Sequence, residues 1–198
     1  MAKISMKSGT LLSPLPAVMV SCGSKEKPNI VTVAWCGIIS SQPPMTYISL
    51  RPTRFSYDLI KESGEFVINL TSEELVRSAD WCGVYTGAKV DKFAKCRLTP
   101  EASTVVSCPA IAEAPVSIEC RVKNIQPLGS HDMFVSEIVA VNVREDLLDD
   151  AGKLHMDKAK LTTYSHGEYF ALGRKLGSFG FSVKKKSKPR KKVEKKTK

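Results

Sequence analysis

The stretch NIVTVAWCGIISSQPPMTYISLRPTRFSYDLIKESGEFVINL, residues 29–70, decides the fold. It contains three runs rich in β-branched and aromatic residues, each bounded by turn or breaker residues, which predicts strands at 30–35, 45–50 and 65–70. Between the last two runs, FSYDLIKESG predicts a short amphipathic helix over residues 55–64 that ends at Gly64. Its apolar face is formed by Phe55, Leu59 and Ile60.

The flanking sequence continues the β-rich pattern in both directions. Residues 16–23 form an apolar run, and the polar segment SKEKPN joins it to the strand at 30–35, which predicts a hairpin. Residues 115–128 and 132–146 are the two longest predicted strands. Gly129-Ser130-His131 between them predicts a tight antiparallel turn.

The remaining segments predict little regular structure. Thr71 and Glu74 have the spacing of a capping box, which predicts a helix that begins at Thr71. Residues 80–115 and 147–180 are predicted to be irregular. Short strands with hairpin-length links and without βαβ alternation favour a small antiparallel barrel over a doubly wound sheet.

Composition and charge narrow the classes of function. The chain has 198 residues, of which 42% are hydrophobic and 25% charged, which suits one globular domain at 1–183 with a short appendage. Residues 184–198 contain ten of the 30 Lys and Arg residues and a single acidic residue, Glu194. This segment therefore carries +9 of the net charge of +10. We expect a basic tail without fixed structure, and nucleic-acid or other polyanion binding is expected only through it.

The sequence lacks the motifs of metal, nucleotide and hydrolase sites. The six cysteines show no C-x-x-C pair, and the three histidines do not complete a metal-ligand spacing, so no metal is expected. The cysteines are interpreted as small core residues in a reducing, cytoplasmic setting. No apolar run approaches the roughly 18 residues of a membrane span. The dinucleotide, P-loop, zinc-protease and hydrolase-elbow motifs are missing too.

Two clusters within the deciding stretch suggest a ligand site. Hydroxyls and guanidiniums crowd a strand end and a helix start, which suggests a phosphate cradle; they belong to Ser49, Arg51, Thr53, Arg54 and Ser56. The alternative is a helix cap with surface arginines. In T-V-A-W, Thr32 and Ala34 share one strand face that a flat ring could approach. The alternative there is an ordinary sheet position with Trp35 in the core.

Taken together, these motifs resemble the flavin reductase-like family, which includes the flavoredoxins. The resemblance covers about residues 10–180 and rests on motifs that occur in the family's order: N-x-x-T-x-A-W-x-G at 29–37, S-Q-P-P at 41–44, S-L-R-P-x-R-x-S at 49–56, F-x-x-N-L at 66–70, T-G-x-x-x-D-K-F at 86–93 and H-x-x-F-x-x-E-I at 131–138. The extra Gln42 is the one departure and lies in a predicted loop. The resemblance implies a homodimer of antiparallel, Greek-key split β-barrels that bind FMN, rather than FAD or riboflavin, near the subunit interface.

The resemblance also assigns site residues. The implied flavin-binding residues are Thr32, Ala34 and Trp35 at the ring, Ser49, Leu50 and Arg51 at the ring edge and ribityl chain, and Arg54, Ser56 and Asn69 at or near the phosphate. Lys92 and Phe93 would close over the flavin, and Lys92, helped by Lys89, would add charge toward the phosphate. His131 is either a contact for nicotinamide or substrate or a solvated turn residue. No catalytic acid–base pair is evident, which fits chemistry carried by the flavin.

The sequence therefore predicts a flavin-dependent oxidoreductase or electron carrier. One form is an NAD(P)H:FMN reductase, and the other is a flavoredoxin-like carrier that receives electrons from a redox protein. The alternatives left open are an FMN-binding protein without turnover and a polyanion-binding module built on the basic tail. The physiological donor and acceptor, and the choice between NADH and NADPH, are not legible in the sequence.

Overall fold

The computed structural model of the chain describes residues 1–183, so the predicted basic tail at 184–198 lies outside the described residues. The strands are β1 (Leu15–Pro16), β2 (Val18–Gly23), β3 (Pro28–Val33), β4 (Cys36–Ser41), β5 (Pro44–Leu50), β6 (Glu65–Leu70), β7 (Pro100–Glu101), β8 (Ala110–Ile111), β9 (Val116–Pro127), β10 (Asp132–Val143), β11 (Thr162–Ser165) and β12 (Glu168–Ala171). The α-helices are α1 (Phe55–Ser63), α2 (Val76–Val84) and α3 (Lys92–Cys96). Single 3-10 turns occupy Glu73–Leu75, Glu145–Leu147, Met156–Ala159 and Phe181–Val183.

Seven strands form one antiparallel sheet in the order β3-β2-β6-β9-β10-β5-β4. The outer strands β3 and β4 lie at opposite edges, yet two residues, Ala34 and Trp35, connect them. So short a link forces the sheet to curl and brings its two edges close together. The backbone N–H of Ser49 on β5 donates to the carbonyl oxygen of Trp35 at 2.8 Å, which continues the β4–β5 pairing into the link. The predicted antiparallel barrel is confirmed.

The barrel interior holds the main core. Its buried members come from several strands and from α1, and include Val20, Ile48, Ile60, Phe66 and Phe134. Helix α1 ends as predicted, since Gly64 adopts a left-handed conformation with φ of 69° and its N–H donates to the Ile60 carbonyl oxygen at 2.9 Å. The buried residues of α1 are Ser56, Tyr57 and Ile60, whereas Phe55 is 42% exposed. The predicted apolar face is therefore only partly correct.

A second core cluster lies outside the barrel, where α2 and α3 pack against β2 and β3. The predicted capping box is wrong: a 3-10 turn precedes α2, and the buried Thr71 hydroxyl has no hydrogen-bond partner within residues 1–183. Tertiary pairing holds this segment instead, because the Thr71 carbonyl accepts the N–H of Thr162 at 3.0 Å. Helix α3 lies within the stretch predicted to be irregular, and the Asp91 carboxylate caps it by accepting the Ala94 N–H at 3.0 Å.

Strand β4 and the hairpin of β11 and β12 were not predicted either. Strands β1, β11 and β12 form a small separate sheet, and β7 pairs with β8. The hairpin of β9 and β10 was predicted correctly, and it carries His131 at its turn. Among residues 1–183, the helices are too short or too polar for a transmembrane span.

Candidate functional site

An open cleft of about 440 Å³ lies where the ends of β3 and β5 meet α2, the β9–β10 turn and the β11–β12 hairpin. Eight residues singled out in the sequence line it: Thr32, Ala34, Trp35, Ser49, Leu50, Arg51, Arg54 and His131. They come from segments up to about a hundred positions apart, and the curling of the sheet is what assembles them.

Aromatic rings form one wall of the cleft. The rings of Trp35 and His131 lie with their centroids 4.5 Å apart at an interplanar angle of 44°. Trp35 is 38% exposed, so it is a cleft residue and not the core residue of the alternative interpretation. His131 is partly buried, and burial together with the nearby Arg51 and Arg54 lowers the pKa of its imidazole. At neutral pH the ring is therefore mostly uncharged.

The floor of the cleft is held rigid by hydrogen bonds. The Thr32 hydroxyl donates to the carbonyl oxygen of Ala79 on α2, so it fixes helix to sheet and is not free to donate to a ligand. Helix α2 approaches β3 closely at Gly83, where a Cβ would lie 3.3 Å from the Cβ of Thr32. Ser49 is fixed through its backbone bond to Trp35. The backbone around these residues presents a firm surface to a planar ring.

Beyond Arg54 the cleft passes into a smaller pocket of about 70 Å³. Cations and hydroxyls line this anion pocket, and no carboxylate is among its lining residues, which are Val31, Thr53, Arg54, Phe55, Ser56, Cys82, Tyr85, Thr86, Gly87 and Lys92. Lys92 is 3% exposed, and its Nζ donates to the carbonyl oxygens of Ile30 and Cys82, both at 2.7 Å. An ammonium group has three donors, so one remains for an anion.

The electrostatics of the anion pocket favour negative charge. Burial lowers the pKa of the Lys92 ammonium, and the neighbouring Arg54 cation lowers it further. The pocket also lies at the N-terminus of α1, where Arg54 occupies the cap position without a side-chain capping bond. The first amides of α1 thus lack a side-chain cap within the described residues, and the positive end of the helix dipole faces the pocket.

Ser56 reaches the anion pocket but is already engaged. It is 2% exposed, and its Oγ accepts a hydrogen bond from Nδ2 of Asn29 at 2.6 Å. One residue further along α1, the Tyr57 hydroxyl donates to Oδ2 of Asp132 at 2.6 Å. This bond ties the helix that begins at the pocket to the strand that follows His131. The two ends of the cleft are therefore fixed relative to each other.

Three predicted residues are not brought into the cleft. The Asn69 amide is fully used in the barrel wall, since it donates to Met19 O and Ser21 Oγ and accepts from Ile111 N and Ser117 Oγ. Phe93 is 3% exposed and packs in the second core cluster. Lys89 is exposed and lines another surface cleft, of about 420 Å³, which shares Phe55 and Gly87 with the anion pocket.

Sequence reasoning missed the residues that line the cleft from α2 and from the β11–β12 hairpin. They are Asp80, Gly83 and Val84 on α2, and Tyr164 and Tyr169 on the hairpin; Ala17, which precedes β2, lines the cleft and was missed as well. The Tyr169 hydroxyl donates to Oδ1 of Asp80 at 3.3 Å, and burial together with Asp80 raises the pKa of Tyr169 to about 12. A usable signal was present, because TYSHGEYF alternates around a His-Gly turn and predicts a hairpin.

Among residues 1–183, no three His, Cys, Asp or Glu side chains are grouped to hold a metal ion.

The sequence model described as the flavin reductase like domain matches residues 11–173. The chain belongs to the flavin reductase-like family. Flavoredoxin of Desulfovibrio vulgaris (Miyazaki F) is similar at 34% identity and a TM-score of 0.85, over 92% of this chain and 100% of that one.

Two further structures extend the comparison. Flavoredoxin from Methanosarcina acetivorans is 25% identical with a TM-score of 0.84, over 93% of this chain and 100% of that one. A putative flavin reductase with a split barrel domain from Shewanella frigidimarina is 20% identical with a TM-score of 0.75, over 83% and 85% of the two chains. The predicted split-barrel fold class and the predicted family are both confirmed, and family membership supports a flavin-related role as an oxidoreductase or electron carrier.

Proposed function

We propose that this protein binds FMN and passes electrons through it, as a flavoredoxin-like carrier or an NAD(P)H:flavin reductase. One observation carries the proposal: an open cleft with an aromatic wall continues into a pocket lined by cations and hydroxyls, and Arg54 belongs to both. A planar ring joined to a phosphate by a short polar chain has the same two-part shape. FMN has that composition, whereas riboflavin leaves the anion pocket without an anion.

The assignment of residues follows from this geometry. Trp35, Ala34 and the backbone of Ser49 to Arg51 would hold the isoalloxazine ring and ribityl chain, since they line the open cleft. Arg54, the third donor of Lys92 and the uncapped amides of α1 would hold the phosphate. The flavin supplies reversible one- and two-electron chemistry when bound, and the protein supplies position and charge.

The cleft offers no strong acid or base at its aromatic wall. His131 is mostly neutral there, because its pKa is lowered. A neutral imidazole has one donor and one acceptor nitrogen, which suits contact with an incoming donor. A nicotinamide or the surface of a redox protein could reach the same open side, so the two forms of the proposal differ in the donor and not in the flavin site.

The testing experiment starts with the absorbance spectrum of the purified protein, with the ligand released by heat and identified by mass. FMN and riboflavin are then titrated in parallel into the ligand-free protein, and NADH and NADPH oxidation is followed with FMN present. Tighter binding of FMN than riboflavin supports the site, and turnover separates reductase from carrier. Saturable binding of neither flavin would overturn the proposal.

A homodimer is part of the proposal. Edge strand β4 carries Ile38 and Ile39, which are 70% and 49% exposed, and near the end of the described chain Phe179 is fully exposed. Apolar side chains on an unpaired edge favour burial against a second copy. Light scattering with size exclusion tests this directly.

We also propose a cytoplasmic location, because all six cysteines are free thiols.

A further inference from the structure

Two of the six cysteines meet between neighbouring helices beside the anion pocket. Cys82 lies on α2 and Cys96 ends α3, and their Sγ atoms are 3.7 Å apart. No other two of the six cysteines, all of which lie in the described range, have thiols within hydrogen-bonding distance. Cys82 is 1% exposed, whereas Cys96 is partly exposed and is packed at the border of the second core cluster.

We propose that Cys82 and Cys96 form a reversible disulfide when the protein meets hydrogen peroxide, and that the disulfide loosens the anion pocket. The solvent-accessible Cys96 thiolate attacks peroxide, so that an S–O bond forms, the O–O bond breaks and hydroxide leaves. The Cys82 thiol then attacks the Cys96 sulfenic acid sulfur, and water leaves as the S–S bond forms. Two thiols are oxidised and one peroxide is reduced to two waters.

The two sulfur atoms are close enough for the second step to need only a small movement. A disulfide holds its sulfur atoms about 2.05 Å apart, so the observed separation must shorten by roughly 1.6 Å. Burial, together with the nearby Cys96 thiol, raises the pKa of Cys82 to about 12. This places Cys96 as the thiol that meets the oxidant and Cys82 as the thiol that resolves it.

The effect on the pocket rests on the proposed FMN site and follows from the position of Lys92. The Cys82 carbonyl oxygen accepts a hydrogen bond from the Lys92 ammonium, and both residues line the anion pocket. Lys92 also begins the same five-residue helix that Cys96 ends. Drawing the two sulfur atoms together therefore moves α3 against α2 and shifts Lys92 relative to Arg54. We expect FMN to lose affinity while riboflavin, which has no phosphate, does not.

The disulfide is tested without any flavin. The full-length protein is treated with hydrogen peroxide, remaining thiols are alkylated, and the unreduced protein is digested with trypsin. Cleavage after Arg77, Lys89, Lys95 and Arg97 leaves Cys82 in peptide 78–89 and Cys96 in dipeptide 96–97. We expect these peptides to be linked with the loss of two hydrogens, and dithiothreitol to separate them. Cys96→Ser should abolish the link, whereas Cys120→Ala, which removes a buried thiol elsewhere, should retain it.

The coupling is tested by titrating FMN and riboflavin into the reduced and oxidised forms. We expect oxidation to raise the FMN dissociation constant about tenfold, to leave riboflavin within about threefold, and to have no effect on either flavin in Cys96→Ser. Absence of the linked peptide would overturn the proposal, and a linked peptide with unchanged FMN affinity would overturn its coupling to the pocket. If the reduced protein binds neither flavin, the proposed function fails while the peptide result stands on its own.

Discussion

Arg54→Ala perturbs the anion pocket with little effect on the fold. Arg54 is exposed, and its side-chain hydrogen bond in the described structure is a 3.3 Å contact from Nη1 to the Gly83 carbonyl oxygen. We expect the free energy of unfolding to change by less than about 0.5 kcal/mol. A hydrogen bond with charged partners contributes about 1.5–3 kcal/mol, so the FMN dissociation constant should rise about 10- to 150-fold.

Riboflavin provides the internal comparison, because it shares the ring and ribityl chain but not the phosphate. Its dissociation constant should rise less than about threefold in Arg54→Ala. Quenching of flavin fluorescence measures both ligands at one ionic strength. Arg77→Ala is the matched control, since Arg77 is an exposed arginine on α2 that lines neither the cleft nor the anion pocket. Equal weakening of FMN and riboflavin by Arg54→Ala would refute the placement of the phosphate.

Three further predictions concern other parts of the molecule. Lys92→Met should raise the dissociation constant of FMN about tenfold and that of riboflavin little. In the unaltered protein, FMN affinity should fall as the pH rises through the lowered pKa of Lys92, and parallel titrations at increasing pH would detect this. Burial would raise the pKa of Glu119, but hydrogen bonds from the backbone N–H groups of residues 104–106 outweigh burial and lower that pKa. The free energy of unfolding should therefore fall as the pH drops through the lowered pKa. Glu119→Gln should lower the free energy of unfolding by about 2 kcal/mol, measured by urea unfolding at pH 7. Ile38→Glu should shift the protein from dimer toward monomer in light scattering, and an unchanged mass would contradict the proposed interface.

Much of the barrel was readable because its strands follow local rules. The hairpins at residues 18–33 and 116–143 are bounded by turn residues, and α1 ends at a glycine in the left-handed conformation. Strand β4 escaped prediction although it pairs with its neighbour β5 across a turn of only two residues, Gln42 and Pro43. The consecutive prolines Pro43 and Pro44 read as a break in the chain, and the run before them is a weak strand pattern.

Most of the predicted flavin-binding residues line the cleft or the anion pocket, but the direction of their side chains could not be predicted. Thr32 and Ser56 lie where the sequence predicted them, yet one hydroxyl bonds to α2 and the other accepts from Asn29. Asn69 follows the motif pattern, but its side-chain amide makes its hydrogen bonds within the barrel wall, to Met19 and Ser117. A spacing rule fixes where a residue falls along a strand. Which partner takes its hydrogen bonds depends on elements that are distant in sequence, and those could not be read from the motif.

The two halves of the site can be altered separately because they share little. The tilted rings of Trp35 and His131 form the open wall of the cleft, whereas Lys92 lies in the anion pocket, which has no carboxylate among its lining residues; Val31 and Arg54 line both. Changes at the aromatic wall should therefore act on the ring that FMN and riboflavin share and on the approach of an electron donor, and changes at the anion pocket on the retention of FMN over riboflavin. The thiol pair beside Lys92 belongs to the second half. Oxidation there should weaken FMN binding without altering the surface that a donor meets.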